Sequence, residues 1–74
     1  MKIFGYKFGS EDLYLLNEVT LQGSPEELKK LADFLIECAQ EMVTDKDWEH
    51  EHFKDFTDSE VNSPDFIVYA SEKR

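Results

Sequence analysis

The sequence predicts a single small α+β domain of ββαββ order, residues 1–74, with one amphipathic helix over about residues 24–43 lying on one face of a mainly antiparallel sheet of three or four strands. Three observations carry this. Gly23-Ser24-Pro25-Glu26-Glu27 has the chemistry of a helix start, apolar residues return at helical spacing after it, and β-prone runs flank the helix on both sides. A chain of 74 residues has room for one domain and buries only about 60% of the surface that its unfolded form exposes.

Each element follows from its own residues. Met1 to Phe8 carries Ile3, Phe4, Tyr6 and Phe8 and meets the turn formers Gly9-Ser10-Glu11-Asp12, which predicts a strand and then a turn. From Leu13 to Gln22, Leu13, Leu15, Val19 and Leu21 alternate with Tyr14, Leu16, Glu18, Thr20 and Gln22, the period of a half-buried strand, with Asn17 interrupting one face. Four residues between the two runs suit an antiparallel hairpin. At the helix start, Ser24 is placed to accept from orphan amides, Pro25 suits the first helical position, and Glu27 completes a capping box. Leu28, Leu31, Ala32, Leu35, Cys38, Ala39 and Met42 then form the apolar stripe, with Phe34 and Ile36 at its margins. Trp48 to Phe53 alternates as expected of a third strand, showing Trp48, His50 and His52 on one face and Glu49, Glu51 and Phe53 on the other, with a charged helical turn as the alternative. Asp55 to Asp65 reads as a loop, Phe66 to Ala70 as a well-covered fourth strand, and residues 71–74 as a frayed tail. One helix covers one sheet face, so the other is open to solvent or to another chain.

Composition narrows the function classes. Apolar residues make up 41% of the chain and aromatic ones 14%, enough for a core. Seventeen acids against eight lysines and arginines leave a net charge of −9, a field that repels nucleic acid and anionic lipid and draws in a basic protein, although acidity also serves solubility alone. Residues 45–65 hold eight of the acids and two lysines. Cys38 is the only cysteine, and neither a leader-like stretch nor a membrane-length apolar run is present, so a cytoplasmic setting is expected.

The chemistry-bearing residues favour binding over catalysis. His50 and His52 on one strand face would have Cα atoms about 6.5 Å apart, near enough to share a metal with Cys38, Glu51 or Asp55. One His-x-His pair is a poor match to a four-ligand site, and sheet-surface histidines bonded to Glu49, Glu51 or solvent are the simpler account. Position 38 falls on the core stripe, which suits an inert thiol rather than a nucleophile. No phosphate loop, Ser-His-Asp signature or nucleotide fingerprint occurs, so neither an enzyme nor a cofactor is expected. Aromatic anchors among acids are the ingredients of a partner surface, and Trp48, Glu49, His50, Glu51, His52, Asp55 and Asp58 are the candidate residues. Trp48 and Phe53 serve equally well as the last members of a small core. Two further readings stay open: a metal-binding module built on His50 and His52, and a homodimer formed through the open sheet face or an edge strand.

The runs Glu18-Val19-Thr20-Leu21 and Gly23-Ser24-Pro25-Glu26-Glu27-Leu28, the helix through Leu31-Ala32-Asp33-Phe34-Leu35, His50-Glu51-His52-Phe53-Lys54-Asp55, and Ser63-Pro64-Asp65-Phe66-Ile67-Val68 together resemble the immunity protein 32 family of bacterial polymorphic-toxin systems. The likeness spans about residues 13–69, and the His-Glu-His segment followed by the Ser-Pro-Asp strand is its more distinctive part. The resemblance implies an α+β protein that neutralises a toxin by direct binding, with no enzyme activity and no cofactor. The strong acidity agrees with a basic, nuclease-type toxin.

Overall fold

The structure, a computed structural model, describes residues 1–57 and 64–71. Its elements are β1 (Ile3–Gly5), β2 (Tyr14–Leu16), α1 (Pro25–Thr44), β3 (His50–His52), α2 (Phe53–Phe56) and β4 (Ile67–Tyr69). The chain is an α+β protein with one main helix and two small antiparallel sheets. Asp58, the centre of the expected loop at residues 58–63, and tail residues 72–74 lie outside the described residues.

The helix begins as its residues dictate. Ser24 is extended, its hydroxyl accepts from the Glu27 amide at 3.1 Å, and the Glu27 carboxylate accepts from the Ser24 amide at 2.8 Å. These reciprocal bonds satisfy two groups that would otherwise be orphaned at a helix end, and the bonds from Ser24 hold the Glu27 carboxyl below its ordinary value. At the other end the Asp45 amide donates to the Glu41 carbonyl, the Asp45 carboxylate accepts from the Asp47 amide, and the Trp48 amide returns to the Asp45 carbonyl. This turn brings Trp48 back beneath the helix.

The core is Leu31, Phe34, Cys38 and Trp48, with Met42, Phe53, Phe66, Val68 and Ala70 packed against it. Phe34, expected at a margin of the apolar stripe, lies at the centre with no exposed surface, between the rings of Phe53 at 5.3 Å and Phe56 at 5.4 Å. Leu28, Leu35 and Ile36 are left exposed. The rotation has a simple cause: the layer beneath the helix is only α2 and the β3–β4 ladder, too narrow to cover the whole stripe.

The strands pair in two separate ladders instead of one continuous sheet. In β1–β2, Ile3, Phe4 and Gly5 face Leu16, Leu15 and Tyr14; in β3–β4, His50, Glu51 and His52 face Tyr69, Val68 and Ile67. The second strand is much shorter than the expected run from Leu13 to Gln22, ending where Asn17 breaks the apolar alternation. The segment between β1 and β2 is also longer than a tight hairpin loop. It contains a turn in which the Ser10 amide donates to the Lys7 carbonyl, with Gly9 at φ 75°, a left-handed conformation that glycine adopts without a side-chain clash. No described residue of this hairpin joins the core.

Candidate functional site

The acidic, aromatic segment after α1 is expected as one strand from Trp48 to Phe53, but the ladder spans only His50–His52. Trp48 precedes it in the turn, is buried, and donates its indole N–H to Glu41 Oε1 at 2.9 Å. It completes the core. Phe53 opens α2 and also packs inward, which breaks the simple alternation predicted for this stretch.

Within the ladder the alternation holds and divides the candidate residues between two surfaces. Glu51 lies opposite Val68 on the helix side, while His50 and His52 lie opposite Tyr69 and Ile67 on the outer side. His50 stacks on its cross-strand partner Tyr69 with ring centroids 4.6 Å apart and planes 15° from parallel, and its Nδ1 is 3.1 Å from Glu49 Oε1. The rings of His50 and His52 are 5.5 Å apart. Among the described residues no group of three or more histidine, cysteine or acidic side chains is arranged to hold a metal.

His52 has a partner that spacing alone does not reveal. Its Nδ1 is 2.7 Å from Asp65 Oδ2, while Asp65 Oδ1 accepts from the amides of Lys54 at 3.0 Å and Phe66 at 2.9 Å. One carboxylate therefore caps the first turn of α2 and ties it to the approach to β4. The hydrogen bond that His52 donates to the Asp65 carboxylate raises the His52 pKa against the opposing effect of burial. Burial opposes ionisation of Asp65, but His52 and the two amides outweigh it and hold the carboxyl below its ordinary value. The only sequence signal for this arrangement is an acid two residues before the β4 run, which reads as part of a turn.

This junction supports a prediction with a definite sign. Asp65→Ala removes three acceptor contacts and is expected to lower stability by about 1–2 kcal/mol, measured by denaturant unfolding. Raised in the fold, His52 contributes stability in full below its ordinary pKa of about 6.5, and that contribution fades as pH rises through the higher folded value. Asp65, lowered in the fold, contributes in full above about 3.8 and loses that contribution as pH falls through its folded value. The pair thus contributes most between about pH 4 and 6.5. Asp65→Asn keeps an oxygen for the amides but loses the charge, so the imidazole titration of His52, followed by NMR, should move down. An unmoved titration would show that Asp65 does not set it.

On the helix side, α1, β3 and α2 enclose an open cleft of about 140 Å³. Phe34, Cys38 and Phe56 line its base, and Glu37, Glu41, Glu51 and Asp55 contribute four carboxyl groups. None of these acids forms an ion pair with a lysine or arginine among the described residues. Burial pushes the Cys38 thiol up, and Glu41, Glu51 and Glu37 add to the shift, so the sulfur stays protonated as a small apolar group. Glu41 also lies in the last turn of α1, where the helix dipole disfavours an acid; its bond to Trp48 offsets this in part.

The structure therefore brings Glu51 and Asp55 together with Glu37 and Glu41 around the cleft, while the imidazoles of His50 and His52 lie on the outer side of the ladder. The two helix acids are missed from sequence because an exposed helical acid looks like any other until the opposite wall is known. No helix among the described residues is long and apolar enough to cross a membrane.

The fold and this surface define a small α+β protein with an acid-rimmed, aromatic-based cleft. Residues 18–71 match the model of the family described as Immunity protein 32, and the chain belongs to that family. Neither a curated protein nor a solved structure gives a match.

Proposed function

We propose that this chain is the immunity protein of a bacterial polymorphic-toxin system, acting in the cytoplasm without catalysis by binding and occluding a basic, nuclease-type toxin. Family membership supports the immunity role. The observation that carries the choice of toxin surface is the cleft, where four carboxyl groups have no described Lys or Arg partner. Acids without a described lysine or arginine partner, over an apolar base, suit the alkyl stem and charged head of such a side chain, and an active surface built for phosphates supplies them. Glu49, Glu51 and Asp55 would contact the toxin, with Trp48 supporting their segment from within. His50 and His52 would border the contact from the outer ladder face.

The test is co-expression with the toxin encoded beside this gene, paired with calorimetry on the purified proteins. The expected result is rescue of growth, a one-to-one complex and loss of nucleic-acid cleavage. A toxin that remains active and unbound in the presence of the folded protein would overturn the reading.

A further inference from the structure

The geometry points to a metal site on the outer face of the β3–β4 ladder, where Nε2 of His50 and Nε2 of His52 together bind one divalent ion of the zinc, copper or nickel class. A closed site of four protein ligands is not what the residues offer, since among the described residues no three histidine, cysteine or acidic side chains are arranged for it. A two-histidine chelate asks for less. It needs two imidazoles on one face, at a suitable separation, each with its lone pair on the nitrogen that meets the metal, and water completes the coordination.

The ladder meets the first two conditions. His50 and His52 are two residues apart in β3, opposite Tyr69 and Ile67, so they leave the same side of the ladder, and their side chains keep 33% and 39% of their surface open. With Zn–N bonds of about 2.0–2.1 Å, a metal in both ring planes sits about 3.2 Å from each ring centre, and a tetrahedral angle then puts the centres about 5.2 Å apart. Those of His50 and His52 are 5.5 Å apart, with planes 69° from parallel, so the rings do not stack on each other. The stack of His50 on Tyr69 and the bond of His52 to Asp65 restrain both rings before any ion arrives, which lowers the ordering cost of binding.

The third condition is met by the carboxylates behind the rings. Glu49 Oε1 lies 3.1 Å from His50 Nδ1, and Asp65 Oδ2 lies 2.7 Å from His52 Nδ1. A carboxylate accepts and does not donate, so each Nδ1 carries the proton and the neutral ring presents its lone pair at Nε2. Metal-ligating histidines are held in this way, with the other ring N–H on a carboxylate that fixes the tautomer and raises the basicity of the ligating nitrogen. Imidazole selects zinc, copper and nickel over the hard cations magnesium and calcium. The net charge of −9 adds a field that favours any cation.

Calorimetric titration of the untagged full chain with zinc chloride at about pH 7.5, above the ordinary histidine pKa, tests this. One ion per chain is expected, with the imidazole NMR signals of both histidines shifting together and no response to magnesium. His50→Ala removes one ligand and leaves the Asp65 junction in place; it should weaken zinc binding at least tenfold, with Trp48 emission and helical circular dichroism unchanged. His50→Phe, which keeps a ring on Tyr69, serves if the alanine variant does not fold. Asp65→Asn keeps both ligands but loses the charge behind His52, and should weaken binding about tenfold. A chain that binds no zinc overturns the proposal. Zinc binding that survives the loss of His50, or that magnesium displaces, also overturns it and would place the ion on carboxylates instead. The titration needs no toxin, so its outcome is independent of the immunity assignment.

Discussion

Phe34→Ala is expected to leave the chain largely unfolded at 25 °C. Among the described residues Phe34 is the one large side chain with no exposed surface, and it contacts the aromatic pair of α2 while lying in the cluster of Leu31, Cys38 and Trp48. Removing a buried phenyl ring costs about 3–5 kcal/mol in transfer and cavity free energy. At roughly 0.05–0.15 kcal/mol per residue, a chain of this length has about 4–11 kcal/mol in total, and this small core lies toward the low end. Phe34→Leu retains most of the volume and should remain folded with a lowered denaturation midpoint. The measurement is urea unfolding followed by Trp48 emission, which reports on the same cluster. An alanine variant with a midpoint close to the parent's would mean that the helix is not held through this face.

Reversing charge at Glu49, Glu51 and Asp55 together is expected to slow association with the toxin by about 10²-fold at low salt. Six units of charge change at one end of a small protein, and the long-range attraction that orients a basic partner before contact is lost. The deficit should shrink as ionic strength rises and the Debye length falls below about 8 Å. Dissociation should also quicken, through the direct pairs formed by Glu51 and Asp55 at the cleft. Glu51 additionally accepts from the His52 amide at 3.3 Å, so circular dichroism and Trp48 emission must accompany the kinetics. Stopped-flow association rates that do not change in a folded variant would move the toxin surface away from this segment.

Local chemistry explains how much of this was legible beforehand. The start of α1 needs only Ser24, Pro25 and Glu27, whose bonds close within four residues, and the structure shows both capping bonds. The α+β class, the burial of Cys38 and the antiparallel pairing of β1 with β2 also follow from short-range pattern. The family resemblance rests on motifs that the match over residues 18–71 bears out.

What needed the tertiary structure depends on groups distant in sequence. Periodicity defines an apolar stripe on α1 but not the width of the layer beneath it, so only packing decides that Phe34 is central and Leu35 exposed. Asp65 meets His52 and the Lys54 amide across 13 and 11 residues, an arrangement that no propensity of the intervening chain encodes. The cleft combines Glu37 and Glu41 of the helix with Glu51 and Asp55 of the following segment. The sequence by itself determined the helix, the class and the acidity; the fold alone decided which acids share a surface, because that depends on the crossing of α1 over the β3–β4 ladder.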